Sequence, residues 1–180
     1  MNKCYEADLY RYYGRKETFI EYITRTEVIK YIVLLRKTQG CKSKILKTML
    51  AFRLRKRGEK AKIEISHTTS IGKGFYIGHC GPVIINPNAV IGENVNVATG
   101  VTIGQENRGK RKGAPTIGNQ VWIGTNAVVV GKINIGDDVL IAPSAYVNFD
   151  VPSHSIVIGN PATIVSRENA TDGYINKRVH

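Results

Sequence analysis

Four histidines, His67, His79, His154 and His180, are the side chains of this sequence best suited to moving a proton near neutral pH. An imidazole can take the proton from a hydroxyl while that hydroxyl attacks an electrophilic carbon, and a positioned base of this kind contributes roughly 10²–10⁴-fold in rate. None of the four stands at metal-ligand spacing from another or from Cys4, Cys41 and Cys80, so no metal is expected. Three cysteines, an odd number, do not make a disulfide framework. Cys80 offers a second chemistry, a thiol nucleophile carrying an acyl-enzyme.

The elements that must position these groups announce themselves by a period of six. Ile117, Ile123, Val129, Ile135, Ile141 and Val147 recur in strict register, and Val121, Ala127, Ile133, Val139, Ala145 and Val151 follow four places after each. Earlier runs read Ile85, Ile91, Val97, Ile103 and Ile65, Ile71, Ile77, Val83, with a two-residue slip after Val83 and an insertion between Ile103 and Ile117. Six matches neither the helical period nor the simple strand period. It fits a short strand and a turn, three of which close one triangular coil that buries its inner face against its neighbours, as solenoids do. The reading is a mainly β fold, a parallel β-helix over 63–165, preceded by an α-helical segment 1–62 and followed by a polar tail 166–180 that covers or leaves the prism. Within the first segment, 5–38 read as helical with Gly40 as the stop, and 42–57 as a second, basic helix ended by Gly58. The stretch 105–115 cannot fit a coil and is expected to protrude as a mobile loop bearing Arg108, Lys110, Arg111 and Lys112.

This pattern resembles the hexapeptide-repeat acyltransferase superfamily, whose coils wind left-handed; the hand comes from the resemblance, since general chirality rules give the opposite. The stretch from Glu64 to Val165 resembles the serine acetyltransferase branch. Residues 64–79, E-I-S-H-T-T-S-I-G-K-G-F-Y-I-G-H, match the branch's D-I-H-P-x-x-x-I-G-x-G-x-x-x-D-H. The resemblance puts His79 on the general base and Glu64 on the carboxylate that orients it. His67 and His154 fall on no catalytic position. It implies direct transfer from acetyl-CoA to a hydroxyl, and a homotrimer with sites between neighbouring prisms. The pantetheine arm would lie along main chain near Gly104, Gln105, Thr125, Ala142 and Pro143. Lys132, Arg167 and the basic loop are candidates for the CoA phosphates.

Four departures bear on the acceptor. The acidic residue before the branch's histidine is Gly78 here, its Arg-His pair after the loop is Gly113-Ala114, its long helical domain is cut to about 63 residues, and its terminal isoleucine is His180. A zwitterionic acceptor needs charged partners once desolvated. The expectation is therefore a neutral sugar hydroxyl in a cell-surface polysaccharide, capsular or exopolysaccharide. Serine O-acetylation for cysteine biosynthesis is the alternative, and a non-catalytic binding scaffold is a third reading.

The net charge of +12 is concentrated. Residues 1–63 hold 17 Lys+Arg and 6 Asp+Glu, and 64–180 hold 9 and 8. A near-neutral β-helix without aromatic stacking platforms argues against nucleic-acid binding. The basic stretch 42–57, with no acid, either caps the open end of the prism or faces an anionic membrane. No run is long and apolar enough to span a bilayer and no signal peptide is evident, so the expected place is the cytoplasm, with possible contact at the inner membrane face.

Overall fold

The computed structural model describes residues 3–179, so His180 lies outside the described residues. The six-residue period becomes about five coils of a left-handed parallel β-helix. The first coil carries β1 (Ile63–Ile65), β2 (Ser70–Ile71) and β3 (Tyr76–Ile77). The second carries β4 (Val83–Ile85), β5 (Val90–Ile91) and β6 (Asn96–Val97), and the third β7 (Thr102–Gly104), β8 (Thr116–Ile117) and β9 (Trp122–Ile123). The fourth carries β10 (Val128–Val130), β11 (Asn134–Ile135) and β12 (Val139–Ile141), and the last β13 (Tyr146–Val147) and β14 (Ser155–Gly159), with Val151 bridged to Ile135. Finally β15 (Ala162–Ser166) returns antiparallel along β14.

Three sheets form the faces of the prism: β1-β4-β7-β10-β13, then β2-β5-β8-β11, then β3-β6-β9-β12-β14-β15. On the first face Ile65, Ile85, Ile103, Val129 and Val147 stand in register and point inward, all buried. Each such side chain, removed from water, contributes roughly 1.5–3 kcal/mol. The second apolar position of every unit is buried as well, from Ala89 to Val151. At the corner between the second and third faces the chain turns through Asn94, Gln120, Asp138 and His154 with φ between +53° and +58°, a left-handed backbone that Asn and Asp tolerate better than most residues.

The helical segment differs from expectation. The helix read over 5–38 is three helices: α1 (Lys3–Tyr13), α2 (Phe19–Thr24) and α3 (Glu27–Gly40). Gly14, at φ +74°, accepts the left-handed turn that ends α1. Thr18 and Glu21 form a reciprocal capping box at α2, and Thr26 caps α3. The basic helix α4 (Lys44–Ala61) runs through Gly58 instead of ending there. Gly58 is a packing residue: a Cβ on it would lie 2.5 Å from the Ile63 carbonyl oxygen.

These helices meet the open edge of the first coil, where strand N–H and C=O groups have no neighbouring strand. The Tyr31 hydroxyl donates to the Ile65 carbonyl and accepts from the Ile65 N–H, both at 3.0 Å. The Tyr12 hydroxyl does the same for Ile77, at 2.8 and 3.2 Å. Arg36 donates to the Ile71 carbonyl at 2.7 Å and pairs with Asp8 at 2.6 Å, and Asp8 accepts the Phe75 N–H at 2.9 Å. All three sheets are thus clipped at their first strand. Val28, Tyr31, Ile32, Leu35 and Leu54 continue the prism's apolar core into the helices.

The tail covers the third face. Tyr174 lies against Trp122 with ring centroids 4.9 Å apart, Asn96 donates to the Tyr174 carbonyl, and the Val179 N–H donates to the Asn94 side chain. It then meets α1: Arg11 donates to the Asn176 carbonyl and Lys177 to the Tyr12 carbonyl. The insertion is anchored where a mobile loop was expected. Glu106 and Gly113 exchange both backbone hydrogen bonds at 3.0 Å, and the Lys132 N–H donates to Arg111. This hairpin pairing supplies partners that a free loop would leave to water.

Candidate active site

His79 is exposed in the turn that carries the chain from β3 on the third face to β4 on the first. The turns stacked below it at the same corner are 98–100, 124–126 and 142–144. They are bonded to one another through main chain: Gly100 N–H to Pro82 carbonyl, Asn126 N–H to Thr99 carbonyl, and Ser144 N–H to Thr125 carbonyl. At Gly100 (φ +82°) a Cβ would lie 1.9 Å from the Asn126 side-chain oxygen, so the corner is built for close main-chain approach. Thr125, Ala142 and Pro143, expected along the donor arm, belong to this column.

Other expected residues stand elsewhere. Gly104 ends β7 and Gln105 follows it, at the corner between the first and second faces. The anchored loop leaves the prism there, and Lys132 lies at its base, its Cβ 3.1 Å from where a side chain on Gly113 would begin. A whole face of the prism separates this corner from His79. Arg167 stands at the third corner, its N–H bonded to the His154 carbonyl, because β15 carries the chain back across the third face. One chain therefore does not gather all the expected donor residues at one place.

Glu64 points outward from β1, in register with Ile84, and makes no hydrogen bond or ion pair with His79 among the described residues. It lines a groove of about 760 Å³ between the first face and α4, together with His67, Tyr31, Arg55 and Glu59. His79 is not part of that groove's wall.

Sequence reasoning missed what holds the histidine turn. Tyr12 clips Ile77, two residues before His79, and its ring lies 4.6 Å from that of Tyr76. Burial pushes the Tyr12 hydroxyl far above the usual phenol range, so it stays protonated and can both donate and accept. Nothing in the local sequence of α1 signals a contact 65 residues away. The Asp138 cluster was missed too. Its carboxylate accepts from the Thr171 N–H and hydroxyl and the Ala170 N–H, and bonds to His154 at 2.9 Å. Burial alone would push the Asp138 carboxyl up, but the Thr171 bonds, with His154, hold it below the usual range. The bond to Asp138 raises His154, assisted by Glu168.

Residues 114–148 match the family described as Bacterial transferase hexapeptide (six repeats). The serine acetyltransferase of Helicobacter pylori is 39% identical over 106 residues, 59% of this chain and 62% of that protein. That of Bacillus pumilus is 40% identical over 103 residues, 57% of this chain and 48% of that one. The chain thus spans about half to three fifths of these relatives' length. Among solved structures, Neisseria gonorrhoeae serine acetyltransferase superposes with TM-score 0.75 and 29% identity, covering 92% of this chain and 66% of that one. Soybean serine acetyltransferase complexed with serine gives 0.74 and 27%, covering 90% and 68%. These relatives overturn the expectation of a sugar acceptor in cell-surface polysaccharide. That expectation rested on four departures from the branch: Gly78, the Gly113-Ala114 pair, the short helical segment and His180. A charge missing at one position does not exclude one supplied from another, and Glu64 keeps a free carboxylate in a groove.

Proposed function

We propose that this chain belongs to the hexapeptide-repeat transferase superfamily and is an acetyl-CoA-dependent serine O-acetyltransferase. The observation that carries the reading is the corner at His79: an exposed imidazole on the branch's base position, above a column of close-packed turns at which Thr125, Ala142 and Pro143 stand. Serine acetyltransferases at 39% and 40% identity support it.

The chemistry follows from the groups present. The His79 imidazole takes the serine hydroxyl proton as that oxygen attacks the thioester carbonyl. The tetrahedral intermediate collapses, the carbon–sulfur bond breaks, and the leaving thiolate takes the proton from the imidazolium. O-acetylserine and free CoA result, with no acyl-enzyme and no use of Cys80. Glu64 would orient the imidazole or meet the acceptor's ammonium after its unbonded side chain turns toward the corner.

The separation of corners supports a trimer. Gly104, Gln105, Lys132 and the basic loop reach the His79 corner only from a neighbouring prism, and the Arg167 backbone stands at the third corner. The tail closes the third face, and among the described residues it covers neither the first face nor the second.

The test is thiol release from acetyl-CoA with L-serine, with the acetylated product identified by mass spectrometry. His79→Ala should lower turnover about 10²–10⁴-fold without shifting the melting temperature. An active His79→Ala variant ends the histidine-base reading. Thiol release with other hydroxyl compounds but no O-acetylserine ends the serine reading and leaves the donor half standing. Mixing His79→Ala chains with chains shortened across 106–113 should restore activity if two copies build each site.

A further inference from the structure

The basic helix expected either to cap the prism or to face a membrane is divided between two roles. The second half of α4 packs, with Leu54, Gly58 and Ala61 buried. Its first half projects: Ile45 is 79% exposed, Met49 60% and Phe52 63%, on one side of the helix at successive turns. The short helix α2 adds Phe19 at 77% and Ile20 at 72%. Scattered exposed apolar residues need no explanation, but large side chains massed on two adjoining helices do.

Between α2, α3 and α4 lies a groove of about 500 Å³, with Tyr22 on one wall and Phe52 on the other. Its remaining polar lining is wholly basic. Lys30 and Arg57 share Glu27, and Arg25 holds Glu17. Lys37, Arg53 and Lys60 make no ion pair among the described residues, and neither do Lys42, Lys44 and Lys47 around the projecting apolar side chains.

We propose that this face docks on an anionic membrane surface, with lipid phosphates in the basic groove and Phe19, Ile20, Ile45, Met49 and Phe52 entering the headgroup–acyl boundary. Charge and apolarity decide the occupant. Two copies of the chain paired through this face would set lysine against lysine. A nucleic-acid backbone would use the cations but has no place for the projecting aliphatic side chains. An anionic leaflet uses both, as interfacial amphipathic helices do. The inference is independent of the acetyl-transfer reading.

The protein is sedimented with vesicles of phosphatidylcholine alone and of phosphatidylcholine with phosphatidylglycerol. It should pellet with the second and not the first, and release as ionic strength rises. Lys44→Gln with Lys47→Gln should lower the partition coefficient about fivefold per residue removed. Met49→Ser with Phe52→Ser should lower it as well, with melting temperature and thiol release unchanged in both variants. Failure to pellet with phosphatidylglycerol, or equal pelleting with both vesicles, overturns the proposal. So does a fall in oligomeric mass in the Met49→Ser, Phe52→Ser variant, which makes the face a copy-to-copy interface. Tight binding of an oligonucleotide without vesicle binding overturns it too.

Discussion

The prism and the helical cap that sits on it share one apolar core but are set in register by different means. In the prism one apolar contact is repeated from coil to coil, and no single residue is irreplaceable in kind. The cap shares the apolar core, but it is set in place by a few polar side chains, Tyr12, Tyr31, Arg36 and Asp8, each bonded to a particular backbone group of the first coil. The difference teaches that a solenoid propagates by repetition but must be terminated by specific chemistry, because its last strand offers unpaired backbone groups.

Substitution can break the comparison. The largest stability loss should come from Asp8→Ala, which leaves Arg36 buried without its carboxylate. Removing one partner of such a pair costs about 3–5 kcal/mol. Burial already pushes the Asp8 carboxyl up against the pull of Arg36, so the pair contributes position more than net stability. Hydrogen exchange should quicken at Ile71, Phe75 and Ile77 before it does at Ile123 or Ile141. Equal protection at all five amides would mean that the cap is not held as described.

Ile103→Ala should come next, at about 2–5 kcal/mol, the range for a buried large-to-small change. Here the loss should appear as one lowered melting transition, with coils on both sides affected. A loss confined to β7 would show the coils to be independent.

Tyr12→Phe should cost about 1–3 kcal/mol, since it strands the Ile77 N–H and C=O. It should also loosen the turn before His79. A fall in kcat with KM unchanged, in a variant still folded, would mark Tyr12 as a positioning residue, and unchanged kinetics would restrict it to the cap.

The smallest effect concerns the tail. His154 is raised above its usual 6.5, so its contribution is complete below that pH and is lost as pH rises through the folded value. Asp138 is held below its usual 3.8, so its contribution is present above that and is lost as pH falls. The Ala170 and Thr171 amides should therefore be best protected between those limits. Protection that keeps rising above neutral pH would exclude a part for His154.

The prism was legible because its contacts are periodic: every aliphatic in the six-residue register, from Ile65 to Val147, is buried. The breaks in the helical segment were harder to read. Gly14 and the Thr18–Glu21 box are ordinary local signals that the run of apolar residues masked. Gly58 misled because glycine serves both to end a helix and to let one pass close to a strand. At the site, the family resemblance named His79 and Thr125, far apart in the chain, and the coils set both at one corner. The resemblance could not give which corner each residue occupies, since that depends on counting strands through an insertion. The Tyr12 clip and the Asp138 cluster have no periodic signature at all.

Arg11 and Asn176 touch across 165 residues of sequence. Coils can stack one after another as the chain emerges from the ribosome, each on the one before it. The covering of the third face must wait until Tyr174, Asn176 and Val179 are made, so until then α1 lacks part of its eventual partner. Closure then joins α1 to a segment that is made only after every coil between them.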